Sequence, residues 1–286
     1  MGIVSKCKRR FGLCLIVLAA SLAHSAPASA GFDYCFAEYE TNTPVDRRFS
    51  TTTAMDEDWV WMPDRGTGTC VTLLNGANLN MNDQSIICAR NAGCDTAVRA
   101  THPGSEVFDG FIKQSDSPTF PEKGPWSSGI LGATKVRRMK ITETAIAIRT
   151  KSAIDGQGLL GRQVSNSVLI DCTECINVDM EISLGQINDN YVITAPGGNG
   201  ILCSGRPLNL AGQGPAIQRN YVRNYTYGIA CPDSTKVRVI DNIIADPDPA
   251  SGAAAPCSFG ANVTLDGNHC ADLACCPHPG RDYVLP

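Results

Sequence analysis

Five aspartates in this chain of 286 residues, Asp109, Asp155, Asp189, Asp241 and Asp266, each stand beside Gly or Asn. Carboxylates recurring in this way suit a calcium ion, which takes six to eight oxygen ligands. The same residues also suit turns, where an Asp side chain bonds to nearby backbone. Cations form two groups, Arg137, Arg138 and Lys140 in one and Arg219, Arg223, Lys236 and Arg238 in the other, with Arg99 apart. Such groups can hold the carboxylates of an acidic ligand through charge-assisted hydrogen bonds, or can simply decorate a solvated face. Cys172-Thr173-Glu174-Cys175 and the cluster His269, Cys270, Cys275, Cys276 and His278 carry zinc-ligand types. No arrangement of Ser, His and Asp stands out, so catalytic residues stay unassigned.

The first thirty residues have the three parts of an export signal: Lys6, Lys8, Arg9 and Arg10, an apolar run from Phe11 to Ala20, then Ala28-Ser29-Ala30. The run is shorter than the roughly 20 apolar residues that span a bilayer, and no second long apolar stretch follows. A secreted or periplasmic destination is expected, with no membrane span after signal removal. Twelve cysteines then remain: Cys35, Cys70, Cys88, Cys94, Cys172, Cys175, Cys203, Cys231, Cys257, Cys270, Cys275 and Cys276. An even number in an oxidising compartment favours disulfides over metal. Removing the four basic residues takes the formal charge from −4 to about −8, which makes nucleic acid a poor partner. Asn224-Tyr225-Thr226 and Asn262-Val263-Thr264 are glycosylation acceptors only in a eukaryotic pathway.

Helical periodicity is scarce after the signal. The chain is a succession of short β-rich runs punctuated by Gly, Asn, Asp and Pro. A recurring frame places an apolar residue, two variable residues, Asn, one variable residue and a second apolar residue: Ile187, Asn190 and Val192; Ile217, Asn220 and Val222; Val239, Asn242 and Ile244. Extended in both directions it marks Asn82, Gly110, Met139, Asn166, Asn190, Asn220, Asn242 and Asn268, separated by 22 to 30 residues. That period is one solenoid turn. Between these marks lies Gly or Ala followed by an apolar residue, as in Ala97-Val98, Gly129-Ile130, Ala145-Ile146, Gly200-Ile201 and Gly228-Ile229. A single rung has too few inward side chains to offset its conformational entropy, so stability comes only with stacking. Asn and Gly suit the sharp bends because they tolerate a left-handed backbone, and stacked amides can bond from rung to rung.

These features, with the run from Asn78 to Cys88, resemble the pectate-lyase-like superfamily of right-handed parallel β-helices over residues 70–270. The resemblance implies an all-β fold of about eight coils, an Asn ladder at the bend between second and third sheets, and Gly-Ile opening the first sheet. Residues 31–69, with Trp59 and Trp61, are expected to cap one end, and the Cys-rich segment 271–286 the other. The run from Ile154 to Gly158 resembles a segment of polygalacturonases, but their paired-carboxylate motifs are absent. In many relatives the outer face of the first sheet carries the active groove. Alternation predicts Leu202 and Ala230 outward there, with Leu131 and Ala147 in equivalent places and Arg99 as the one clear charge.

The function expected is that of a secreted β-helix binding extended ligands, polysaccharide first among them, along a flank of roughly 35 Å. Candidate contacts are Arg99, Arg137, Arg138, Lys140, Asp155, Arg219, Arg223 and Arg238, with no cofactor. The alternatives are a uronate lyase or epimerase, which would recruit calcium and use an Arg or Lys base, and a structural or adhesive surface protein meeting another protein through its apolar face.

Overall fold

The computed structural model describes residues 32–35, 47–62, 68–118, 121–122, 124–150, 162–179, 185–204, 216–232, 237–249, 255–259 and 263–270. The chain divides into two compact units, Met1–Phe32 and Asp33–Pro286. The second is described below. The export-signal reading, Asp155, the Ile154–Gly158 run, Cys275, Cys276 and the segment 271–286 lie outside the described residues.

Every regular element among the described residues is a β-strand. Pairing is parallel and joins residues about one rung apart, so the chain winds into a solenoid with three sheets. The first sheet stacks Val71, Val98, Ile130, Ile148, Ile176, Ile201, Ile229 and Cys257 in one inward column. The second stacks Leu79, Val107, Val136, Val164, Ile187, Ile217, Val239 and Leu265. The third runs from Ile86 through Ile112, Ile141, Leu169, Val192, Val222 and Ile244 to Cys270. Most of these residues are fully buried and share one core. Strands buried on the inner face and rich in Val and Ile are what this parallel geometry requires.

The eight positions stacked from Val71 to Cys257 enclose seven revolutions of chain, close to the eight coils read from the sequence. The segment assigned to an N-terminal cap contributes a rung of its own. Arg47–Phe49, Thr53–Ala54 and Asp58–Trp61 pair in parallel with the first, second and third sheets in turn. Trp61 is fully buried and meets Trp126 edge-on at 5.7 Å. The repeat therefore begins well before Cys70.

The polar ladder is real but shorter than expected, and it is shifted by one residue at one rung. Register places Ser167, not Asn166, between Met139 and Asn190. The Met139 N–H donates to Ser167 Oγ at 3.3 Å and the Ser167 N–H to Asn190 Oδ1 at 3.1 Å. The same link repeats from Asn190 to Asn220, from Asn220 to Asn242 and from Asn242 to Asn268, at 3.0–3.1 Å. Each of these four amides also donates from Nδ2 to a backbone carbonyl one rung back: Val164, Ile187, Ile217 and Val239, at 2.7–3.0 Å. All four side chains are buried.

Asn82 does not belong to the ladder. It is exposed at φ 49°, while Met81 turns inward; a Cβ on Gly110 would lie 2.2 Å from Met81 Cβ. Gly110 holds its place in the column because Met81 already fills the space a side chain would need. The left-handed residue at each bend is the one before the ladder position: Asp109, Arg138, Asn166, Asp189, Arg219, Asp241 and Gly267, with φ between 51° and 60°. The ladder amides are selected for hydrogen bonding, and the residue ahead of each one makes the bend.

Four disulfides join described cysteines. Cys35–Cys70 and Cys203–Cys231 link stretches 35 and 28 residues apart, and Cys88–Cys94 and Cys172–Cys175 close short loops. Cys257 and Cys270 are also disulfide-bonded. The zinc-type pair Cys172 and Cys175 is thus a disulfide.

Replacing Asn220 by Ala leaves the Asn190 N–H without its acceptor and removes the amide hydrogen bonds to the Ile187 and Gln218 carbonyls. We expect a loss of about 2–4 kcal/mol in urea unfolding. Asn166→Ala, at an exposed bend, should cost about 1 kcal/mol or less. Equal losses in the two variants would contradict the assigned register.

Candidate functional site

The first sheet departs from simple alternation, and that departure shapes its outer face. In six successive rungs an adjacent pair is buried: Ala97-Val98, Gly129-Ile130, Ala147-Ile148, Cys175-Ile176, Gly200-Ile201 and Gly228-Ile229. The first of each pair must be small. A Cβ on Gly200 would meet Val222 Cγ1 at 2.4 Å across the core and the Gly228 carbonyl at 2.5 Å; one on Gly129 would meet the Ala147 carbonyl at 2.5 Å. With two inward residues in succession, the outward columns on either side stand apart and leave a trough between them.

One outward column is Thr72, Arg99, Leu131, Arg149, Asn177, Leu202, Ala230 and Ser258. The other includes Glu174, Asn199, Tyr227 and Ala255. The rungs from Asn177 onward frame an open cleft of about 420 Å³ lined by Asn177, Asn199, Leu202, Tyr227, Ala230 and Ser258, among others. Tyr227 is 40% exposed there. At the near end Glu174 Oε2 accepts from Arg149 Nη2 at 2.8 Å and from Asn177 Nδ2 at 3.0 Å.

Register corrects two readings on this face. Ile130 pairs with Ile148, so the equivalent of Gly129-Ile130 is Ala147-Ile148 and not Ala145-Ile146. Ala147 is accordingly fully buried, and the outward place beside Leu131 belongs to Arg149. Arg99 is therefore not the one charge of this sheet. Leu131 and Leu202, partly exposed, and Ala230, nearly covered, occupy the outward column as expected.

Most of the other candidate cations lie elsewhere and are engaged by acids of a neighbouring rung. Arg137 pairs with Glu106 and lies over the Phe108 ring at 4.3 Å. Arg138 grips Asp109 with both ends of its guanidinium, as Arg219 grips Asp189 at 2.7 and 2.9 Å. Arg223 meets Asp246 at 2.8 Å. Arg238 sits on the second sheet, its Nε buried without a hydrogen-bond partner. Lys140 is exposed on the third sheet and Arg99 on the first; neither forms an ion pair among the described residues. The structure does not bring the predicted cations together at one place.

Among the described residues no three His, Cys, Asp or Glu side chains gather in a way that could hold a metal ion. Of the aspartates read as calcium candidates, Asp109 and Asp189 are held by arginines, and Gly267 packs against Asp241, where a Cβ would lie 2.1 Å from Oδ1. The hydrogen bonds from Arg138 and Arg219 lower the pKa of Asp109 and Asp189, against a smaller opposing effect of burial.

The residues that frame the trough, Glu174, Asn177, Asn199 and Tyr227, were not singled out as a site by the sequence. The signal available was the small residue ahead of each Ile, whose side-chain direction only the register reveals. A second exposed aromatic set lies on the third sheet, where Tyr191 and Tyr221 stack at 5.0 Å and 5°. Each of these rings covers one face of the other. No family model, curated protein or solved structure matches the chain. No helix among the described residues is long and apolar enough to cross a membrane.

The lowered carboxylate pKa values set a sign for acid stability. The Asp109 and Asp189 pairs contribute fully above the usual Asp pKa of about 3.9 and are lost as pH falls through the lower folded values. The melting temperature should drop from about pH 4 downward. A combined Asp109→Asn and Asp189→Asn variant should melt a few degrees lower at pH 7 and approach the parent as the pH falls below the usual Asp range, the pairs being exposed and individually weak. A gap that stayed constant with pH would refute the assignment.

Proposed function

We propose that this chain is an exported polysaccharide-binding protein, akin to the pectate-lyase-like β-helices, which holds an extended glycan in the trough of its first sheet. The observation that carries the reading is the trough itself: a straight channel between two outward columns, with an exposed tyrosine, two amides and small apolar residues along it. A tyrosine face is apolar with a polar tip, which suits the C–H face and hydroxyls of a pyranose. Amides offer donor and acceptor together for ring hydroxyls. Parallel rungs repeat at about 4.8 Å, so an extended polymer lying along the solenoid meets equivalent ground at each rung. The eight cysteines of the four disulfides, with the disulfide-bonded Cys257 and Cys270, support an oxidising compartment outside the cytoplasm.

Native electrophoresis through gels cast with individual soluble polysaccharides should show retardation by at least one. Tyr227→Ala should weaken it about tenfold or more with the melting temperature nearly unchanged. A protein that migrates freely through every gel, or whose retardation ignores Tyr227, would refute the proposal.

A further inference from the structure

We infer that the trough selects neutral glycans over uronate polymers, an inference that rests on the trough being the glycan site. Three features of the described residues carry it. The cleft from Asn177 to Ser258 is lined by amides, a phenol, a hydroxyl and apolar side chains, with no Lys or Arg among them. The nearest cation, Arg149, is already held by Glu174, and the same carboxylate takes the Asn177 amide hydrogens. The near end of the trough therefore presents a carboxylate whose charge is compensated once by Arg149, and Arg99 of the same column, without an ion pair among the described residues, stands two rungs beyond Arg149, away from the cleft.

A uronate carboxylate is an acceptor only, and it would carry one negative charge per sugar past Glu174. A neutral sugar hydroxyl donates as well as accepts, so it can use the Glu174 carboxylate, the Asn177 and Asn199 amides, the Tyr227 phenol and the Ser258 hydroxyl in either sense. The field of the whole chain points the same way, since its formal charge is −4, and an anionic polymer is repelled at long range. On the other flanks Arg137, Arg138, Arg219 and Arg223 are each matched by an acid of a neighbouring rung. They offer no alternative row of unpaired cations.

The test uses the full exported chain and matched probes: hexasaccharides of β-1,4-linked glucose, mannose, xylose and galactose, and C6-oxidised uronate counterparts of the hexoses, titrated by calorimetry at 0.15 M salt. At least one neutral hexasaccharide should bind, at least tenfold more tightly than its oxidised counterpart. Tyr227→Ala and Asn177→Ala should each weaken it by fivefold or more. Glu174→Gln frees Arg149 and should narrow the preference by raising uronate affinity about fivefold or more. Uronate binding equal to or tighter than neutral binding, lost in Tyr227→Ala, would overturn this inference while leaving the trough as the glycan site. Failure of every probe, or binding that ignores both Tyr227 and Asn177, would overturn the site and the inference together. Circular dichroism and melting of each variant separate loss of binding from loss of fold.

Discussion

A rung of this solenoid is bound to the next by hydrogen bonds that run along its axis, and the buried amide column from Asn190 to Asn268 is where that dependence is most concentrated. The Oδ1 atoms of Asn220, Asn242 and Asn268 each accept a backbone N–H and an amide hydrogen from the rung before, Asn190 Oδ1 accepts the Ser167 N–H, and each Nδ2 also reaches a carbonyl of the preceding rung. A buried amide costs several kcal/mol when left unpaired; here every amide is satisfied only if both neighbours are in register. The column therefore does more than add stability. A slip of one residue would bury an unpaired polar group at several rungs at once, so the correct stacking is separated from its nearest competitors.

The ladder changes character along the solenoid. It starts from Gly110 and Met139, passes through Ser167 and becomes four consecutive asparagines. At the early rungs the bend is held by packing: Met81 occupies the space over Gly110, and Met139 is buried. At the later rungs it is held by amide hydrogen bonds. Packing at one end and polarity at the other solve the same problem, which is to fill the corner between the second and third sheets without leaving a backbone group unsatisfied.

Period and sheet content were legible in the sequence because they rest on spacing, and spacing survives errors of one residue. Orientation does not. Asn166 and Ser167 are adjacent polar residues, and only the pairing of Val168 with Tyr191 shows which of them enters the column. Ala145 and Ala147 both precede isoleucine, and only the pairing of Ile130 with Ile148 identifies the buried one. The error mattered for the site because it hid Arg149 and the carboxylate it holds. Trp59 and Trp61 looked like a lid, because aromatic residues near a terminus suit an end cap as well as a rung, and the short strands beside them carry little pattern. Asp109 and Asp189 read equally well as turn residues or metal ligands until the arginines one rung on came into place.

Stacking also decides the electrostatics of the flanks. Side chains that point outward from one column stand about one rung apart, close enough that like charges would repel and opposite charges pair. The ion pairs Arg137–Glu106, Arg138–Asp109, Arg149–Glu174, Arg219–Asp189 and Arg223–Asp246 all join neighbouring rungs, with sequence separations of 23 to 31 residues. The geometry that makes a repeated column attractive for binding a repeated ligand therefore also lets the protein neutralise its own cations. A solenoid built to grip a polyanion would have to keep a row of unpaired basic residues against that tendency. Here these five pairs are matched, and the cleft of the first sheet has no Lys or Arg in its lining, so the proposed glycan would meet ring faces and hydrogen bonds there in place of a row of cations.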